Sequence, residues 1–242
     1  MAEARSQITP EMNTPHLSKS PIIEAAIEIH ASASISGEPF TEMVKKTFPG
    51  YALWPATFTG STPSPTTRAM LKSGPENKRM LRISPDGLLV SEVGRYPGWS
   101  AFSTQALEIW NEFCRSFGVS DPIHRASLRF INHIEMPVKY RLEDFLLSPP
   151  KPPVGLDLTN KSMMGEEIFA PLDMPYVIRI LRTIQQSSPR ANGLPALILD
   201  LEIDTINPIG SGELSGQLEK MRELINRVFF GIVTKAVVEK CR

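Results

Sequence analysis

The sequence predicts an α+β fold built from a duplicated unit of antiparallel sheet plus one long helix, with the two copies related by a pseudo-twofold axis. Several segments alternate apolar and polar residues, which is the period of a half-buried strand, and two long segments have the period of an amphipathic helix. The same order of elements runs from Ile22 to Ser100 and again from Arg125 to Gly212. The same order of strands and helices in two segments of similar length indicates that one unit is repeated.

Composition and the repeated order of elements divide the chain into a leader and two repeats. Residues 1–20 are polar and contain two prolines, so we expect a disordered leader. Residues 21–119 are predicted to form the first repeat and residues 120–242 the second.

The first repeat opens with alternating residues in PIIEAAIEIHA, which predicts a strand. A short helix is expected over residues 40–48, ended by Pro49-Gly50, and a hairpin is expected around Pro85-Asp86-Gly87. Ser100 is the predicted N-cap of the long helix, and Gly118 its C-terminal residue. The apolar stripe of that helix comprises Phe102, Ala106, Ile109, Trp110, Phe113 and Phe117.

The second repeat opens with HRASLRFINHIEMP, another predicted strand. LEDFLL is expected to form a short helix and SPPKPP a stiff connector. Three more strands are predicted in EEIFAPL, YVIRILRTI and ALILDLEIDTI, the last with Asp200, Glu202 and Asp204 facing outward. The final helix is expected to run from about Glu213 to Glu239.

Composition excludes several classes of protein. The 242 residues contain 26 Lys+Arg and 26 Asp+Glu, and a net charge of zero disfavours general binding to nucleic acid or to acidic membranes. Two cysteines provide neither a disulfide framework nor a metal cluster, which fits a reducing cytoplasm. No apolar run is long enough for a membrane helix, and the N-terminal residues lack the apolar core of a secretory signal.

Catalytic and cofactor motifs are absent from the sequence. It contains no H-E-x-x-H, G-x-S-x-G or C-x-x-C pattern, and the glycines of PIGSGELSGQ do not have the dinucleotide-binding spacing. We therefore expect no enzyme activity, no catalytic residue, no metal and no cofactor. Asp200, Glu202 and Asp204 stand two residues apart, close enough along a strand to share a divalent cation, but an ordinary polar face beside the basic strand is the favoured interpretation.

Two groups of residues are candidates for a binding surface. Tyr96 and Trp99 lie between a strand and a helix, where they form either an exposed aromatic platform or a packed corner. Arg125, Arg129, Asn132 and His133 lie on one strand, where they either bind an anion or pair with carboxylates of a neighbouring strand. Exposed pairs of this kind contribute only about 0–1 kcal/mol each.

Five segments, PIIEAAIEI, GRYPGWSAF, LRFINHIEMP, LDLEID and FFGIVTKAV, together resemble a sporadically distributed bacterial family over roughly residues 16–240. The resemblance brings no established activity, but a patchy distribution implies a horizontally moved gene in a defence or toxin–antitoxin locus. The predicted topology also resembles the helix-grip and TATA-binding-protein-like duplications, and this likeness bears on the fold only.

These observations favour a cytoplasmic, non-enzymatic interaction module that binds a protein partner, encoded by a neighbouring gene, with a homodimer as a further expectation. A small-molecule-binding protein with a cleft between sheet and long helix is the first alternative. Nucleic-acid binding on a curved sheet is the weaker one, with a local basic patch formed by Arg125, Arg129, Arg179 and Arg182. A partner-binding module should expose a contiguous apolar patch, a ligand-binding protein should enclose a cavity, and a nucleic-acid binder should present a basic stripe with aromatic residues.

Overall fold

A computed structural model describes residues 15, 17–33, 39–53, 70–74, 78–119, 121–151, 153–155, 160–187 and 189–242. Within this part of the chain nine strands form one antiparallel sheet accompanied by four helices, which confirms the predicted α+β class. Most of the predicted leader lies outside the described residues. Residues just before the first strand lie against the C-terminus, since Lys19 N–H donates to Cys241 C=O at 2.9 Å.

The elements follow one another in the predicted alternation of strands and helices. The first half contains β1 (Ile22–His30), α1 (Phe40–Thr47), β2 (Ala52–Leu53), β3 (Met70–Ser73), β4 (Arg79–Ser84), β5 (Gly87–Val93) and α2 (Trp99–Phe117). The second half contains β6 (Arg125–Glu135), β7 (Met164–Phe169), β8 (Tyr176–Gln185), β9 (Ala196–Thr205), α3 (Leu214–Ile232) and α4 (Lys235–Lys240).

The strand order in the sheet is β2-β3-β4-β5-β1-β6-β9-β8-β7. The two halves of the chain therefore occupy the two halves of the sheet, and β1 and β6 meet at its centre. In their register Ile27 lies opposite Leu128, which in turn lies opposite Ile203 of β9. These three residues are fully buried and mark the face on which the helices pack.

The hairpin between β4 and β5 depends on glycine at residue 87. Gly87 has a φ of +150°, and a Cβ atom there would lie 2.2 Å from the backbone oxygen of Ile29 in β1. Glycine therefore permits β5 to pair closely with β1 from its first residue. The predicted hairpin is confirmed, and Gly118 ends α2 in the predicted left-handed conformation.

Helix α2 covers the first half of the sheet with its predicted stripe. The buried residues of α2 are Phe102, Ser103, Ala106, Trp110, Phe113 and Phe117. The predicted N-cap was wrong by two residues, since the helix begins at Trp99 and Gly98 occupies the cap position. No side chain caps this end, because glycine supplies only its backbone there.

Two other predicted helices differ from the structure. LEDFLL contains only a 3₁₀ turn at Leu142–Asp144, and the last helix is interrupted after Ile232. The interruption has a tertiary cause: Thr234 N–H donates to Phe145 C=O at 3.1 Å, and its Oγ1 donates to Asp144 C=O at 2.6 Å. These bonds hold the chain in an extended conformation that a helix cannot adopt.

Lys72 is a buried residue that the sequence pattern does not predict. Its side chain is 2% exposed, and Nζ donates to the carbonyl oxygens of Val44 and Phe48 at 3.2 and 2.9 Å. A positive charge at the C-terminus of a helix satisfies the last carbonyl groups and interacts favourably with the helix dipole. The end of α1 is therefore fixed by a lysine on β3.

The burial of Trp110 predicts a large effect of its removal. Trp110 is 2% exposed and stacks on Phe113 with ring centroids 5.6 Å apart. Replacing it with alanine should lower the free energy of unfolding by about 3–5 kcal/mol, because a cavity remains in the core. Urea denaturation followed by circular dichroism measures this. Glu108→Ala, on the exposed side of α2, is the control, and an equal midpoint for both variants would contradict the assignment.

Candidate functional site

The side of the sheet opposite the helices carries alternating acidic and basic residues. We call this side the charged face, and its members come from six of the seven strands from β4 to β7 in the sheet. They are Glu28, Arg82, Arg125, Arg129, Glu166, Arg179, Asp200, Glu202 and Asp204. Residues opposite one another in adjacent strands lie on the same side of a sheet, and Glu202 is opposite both Arg129 and Arg179. The register therefore places charges of opposite sign beside each other.

Each of the four arginines of the charged face has a carboxylate partner. Arg82 pairs with Glu28, and Arg179 pairs with Glu202 at 2.5 Å and with Glu166 at 3.2 Å. Arg125 lies 3.9 Å from Glu28 and 3.7 Å from Asp204. The predicted cross-strand pairing is thus present, and it neutralises the arginines locally.

The pair of Arg129 and Asp200 is the strongest contact of the charged face. Nε of Arg129 donates to Oδ1 of Asp200 at 2.7 Å, and the second guanidinium nitrogen donates to Oδ2 at 2.5 Å. This is the bidentate geometry of strong arginine–carboxylate pairs. Asp200 faces outward as predicted, but it is only 5% exposed because Arg129 covers it. A buried carboxylate depends on its partner far more than an exposed one does.

A second cluster forms where β1 and β6 meet near His30. The guanidinium of Arg125 donates to Nε2 of His30 at 2.8 Å, and Oε1 of Glu28 lies 3.4 Å from the same nitrogen. Nε2 accepts from Arg125 when the ring is neutral and donates to Glu28 when the ring is protonated. Hydrogen bonding from His30 and the charge of Arg82 together lower the pKa of Glu28 to about 2.

Asn132 and His133 lie on opposite sides of β6. Asn132 is buried among the core residues, and its Nδ2 donates to Leu199 C=O at 3.1 Å. His133 is half-buried on the side of the charged face, where burial lowers the pKa of its imidazole. Arg129 and Asn132 therefore share no surface.

Tyr96 and Trp99 pack on the helix-covered side of the sheet. The centroid of the Tyr96 ring is 5.7 Å from that of Phe130, and the Trp99 centroid is 6.4 Å from the same ring. Trp99 Nε1 donates to Glu219 of α3 at 2.5 Å, and burial raises the pKa of Tyr96. Tyr96 and Trp99 therefore form a packed corner and not an exposed aromatic platform. They lie on the other side of the sheet from Arg125 and Arg129.

An open groove of about 650 Å³ begins at Trp99. Its walls come from the loop before α2 and from the first turns of that helix: Pro97, Gly98, Trp99, Ser100, Ala101, Thr104, Gln105 and Glu108. All of these residues belong to one continuous segment, so the groove is not a cleft between the sheet and a long helix.

The carboxylates considered for a metal are already engaged. Asp200 and Glu202 bind arginines, and Asp204 accepts a hydrogen bond from Ser127. In the described part of the chain, no three His, Cys, Asp or Glu side chains are grouped as a metal site requires. The arrangement is the ordinary polar face that the sequence left open as the alternative.

The glycine-rich turn before α3 is occupied by carboxylates of the chain itself. Asp121 accepts from Ser211 N–H at 3.0 Å and from its Oγ at 2.6 Å, and Glu213 accepts from Gly210 N–H at 3.1 Å. These hydrogen bonds lower the pKa of Asp121. The amide groups that would hold a phosphate are therefore engaged by internal acids.

Cysteine chemistry is equally disfavoured. Burial raises the pKa of Cys114 to about 11, and burial also raises the pKa of Cys241. A thiol reacts as the thiolate, so both residues are poor nucleophiles at neutral pH.

One surface was not anticipated from the sequence. Large apolar side chains are exposed on both sides of β7 and at the loops near its end, and we call them the β7 surface. They are Met164 (80% exposed), Ile168 (65%), Phe169 (49%), Leu172 (106%) and Ile206 (54%). The sequence predicts a strand in EEIFAPL. It does not predict which face of that strand is covered, so the exposure of its apolar residues could not be foreseen.

The buried pair predicts unequal effects of two arginine substitutions. Arg129→Ala should lower the free energy of unfolding by about 2–4 kcal/mol, because it leaves Asp200 buried and unpaired. Arg125→Ala is the matched control on the same strand and should cost less than about 1 kcal/mol, since its ion pairs are long and its side chain is exposed. The double variant Arg129→Leu/Asp200→Leu should recover most of the loss. Equal effects of the two single variants, measured by urea denaturation, would refute this difference.

The low pKa of Glu28 predicts an acid-dependent loss of stability. A carboxyl whose folded pKa is depressed stabilises the fold above its unfolded value, and this contribution is lost as pH falls through the folded value. The ordinary value is 4.5 and the folded value about 2, so the loss should occur between these pH values. Glu28→Gln should be about 1–2 kcal/mol less stable than the wild type at pH 7. The difference in stability between Glu28→Gln and the wild type should vanish near pH 2. A difference in thermal unfolding that stays constant with pH would contradict this prediction.

No protein-family model and no curated protein matches this chain. The resemblance to a sporadically distributed bacterial family therefore stays a prediction. Among the described helices, none is both long and apolar enough to cross a membrane.

Proposed function

We propose that the protein is a cytoplasmic, non-enzymatic interaction module that binds a partner protein through the β7 surface. The observation that carries the proposal is the exposure of Met164, Ile168 and Phe169 on a strand at the edge of the sheet. Exposed apolar side chains grouped on one element are typical of protein-binding sites. Edge strands also offer backbone groups to an incoming chain.

Two partners fit this proposal. The family resemblance favours a protein encoded beside this one in a defence or toxin–antitoxin locus. The other candidate partner is a second copy of the chain, and the argument for it comes from the residues of β7 itself.

The charged face supports nucleic-acid binding less well. Arg125, Arg129 and Arg179 each contact a carboxylate, so their charges are compensated before any phosphate arrives. Arg182, the fourth arginine considered for such a patch, lies opposite Leu199 on the helix side of the sheet and pairs with Glu167. Small-molecule binding is also supported less well, because the groove at Trp99 is open to solvent and ligand sites are usually enclosed clefts.

We also propose that the two halves, residues 21–119 and 120–242, are repeats in a helix-grip-like arrangement. The strand order supports this. In each half the first strand lies at the centre of the sheet, the last strand lies beside it, and a long helix follows. β1 and β5 in one half thus correspond to β6 and β9 in the other.

Photocrosslinking in cells tests the proposed function. A photoreactive phenylalanine derivative at residue 168 should yield a discrete crosslinked product, because Ile168 lies in the β7 surface. The same group at residue 115, on the exposed side of α2, is the control, since the Arg115 side chain is 75% exposed. Mass spectrometry of the product identifies the partner. The same products from both positions, or none from residue 168, would contradict the proposal.

A further inference from the structure

The apolar residues of β7, together with the preceding Met163, are spaced symmetrically about Glu166. Residues 163–169 read MMGEEIF, so Met164 and Ile168 lie two residues before and after Glu166. Met163 and Phe169 lie three residues before and after it. Antiparallel pairing reverses one strand relative to the other, so this spacing places apolar residues opposite apolar residues when the strand pairs with a copy of itself.

The backbone of β7 is also arranged for such pairing. Ile184 N–H donates to Met163 C=O at 3.0 Å. Hydrogen-bonded positions alternate along an antiparallel pair, so residues 163, 165, 167 and 169 bond to β8. Met164, Glu166 and Ile168 consequently direct their N–H and C=O groups to the other edge. Among the described strands only β8 pairs with β7, so none of them occupies that edge.

We propose that β7 pairs with β7 of a second copy of this chain, in an antiparallel register centred on Glu166. The two nine-stranded sheets then join edge to edge, and Met164 of each copy lies opposite Ile168 of the other. This inference rests on the proposed function, because it names the partner of the β7 surface. Each of the three outward-facing positions forms two backbone hydrogen bonds across the interface.

The register follows from the side chains. A centre at Gly165 places Met164 opposite Glu166, and a centre at Glu167 places Ile168 opposite Glu166. The centre at Glu166 matches Met164 with Ile168 on one side of the sheet and Met163 with Phe169 on the other. Apolar cross-strand pairs stabilise a sheet, whereas an apolar residue opposite a carboxylate does not.

The same register places the two copies of Glu166 opposite each other on the axis. Each Glu166 retains Arg179 of its own chain at 3.2 Å, which reduces the repulsion. Like charges directly opposite still weaken a pair of strands. Removing the charge at residue 166 should therefore strengthen the dimer, which is the opposite of what loss of an interface residue usually does.

Sedimentation velocity of the full chain, over roughly 1–300 µM protein, tests the proposal. The wild type should form a dimer in this range. Ile168→Pro should be monomeric, because it removes one apolar contact and the outward N–H while keeping every hydrogen bond to β8. Its thermal unfolding, compared with that of the wild-type monomer at low concentration, shows that the fold is intact.

The pair Glu166→Gln and Glu167→Gln tests the register. Glu166→Gln should tighten the dimer by about two- to fivefold, whereas Glu167→Gln, opposite Gly165, should change its Kd by less than about twofold. A wild type that stays monomeric, or a dimer that persists in Ile168→Pro, would overturn the proposal.

Crosslinking separates failure of the second-copy proposal from failure of the proposed function. A product from residue 168 with twice the mass of the chain supports the second copy. A product with a different protein would overturn the second copy and leave the interaction module in place. Absence of any product from residue 168 would overturn both.

Discussion

The pairing of β1 with β6 is the constraint on which the rest of the structure depends. It joins the two halves of the chain into one sheet and places Ile27 against Leu128 and Ala25 against Phe130, all of them buried. The neighbouring strands β5 and β9 then attach on either side. A slip of one residue would move Ile27 out of the core and Glu28 into it, so the register is strongly specified.

The same register determines the electrostatics. Because alternate residues face alternate sides, the register brings opposite charges of β1, β6 and β9 together on the charged face. They are Glu28, Arg125, Arg129, Asp200, Glu202 and Asp204. Opposite signs are paired there, and the carboxylate of Asp200 is buried by this pairing. The charged face therefore contributes to the stability of the sheet, and this is one reason why we propose the apolar edge at β7 as the recognition surface.

Local patterns predicted the elements well. The alternation in β1 and β9 and the stripe containing Trp110 and Phe113 predicted strands and a helix at the positions where they occur. The likeness to a helix-grip duplication stays a proposal. The strand order could not be predicted from the sequence, because which strands pair in the sheet depends on contacts between distant segments.

The candidate site was predicted less well for the same reason. Burial of Asp200 depends on Arg129, 71 residues away, and burial of Lys72 depends on carbonyl groups of α1. Tyr96 and Trp99 lie on the opposite side of the sheet from Arg125. Predicting this requires knowledge of which face of the sheet each segment covers. Exposure of β7 depends on its place at the edge, which no local pattern records.

The central pairing also imposes an order in time on folding. His30 and Arg125, which lie opposite each other in β1 and β6, are 95 residues apart in the sequence. At ordinary rates of synthesis β1 leaves the ribosome roughly 5–20 s before β6. During this interval β5 can cover one edge of β1, since both belong to the first half, while the other edge waits for its partner. Nascent chains must therefore protect a central strand that is temporarily an edge.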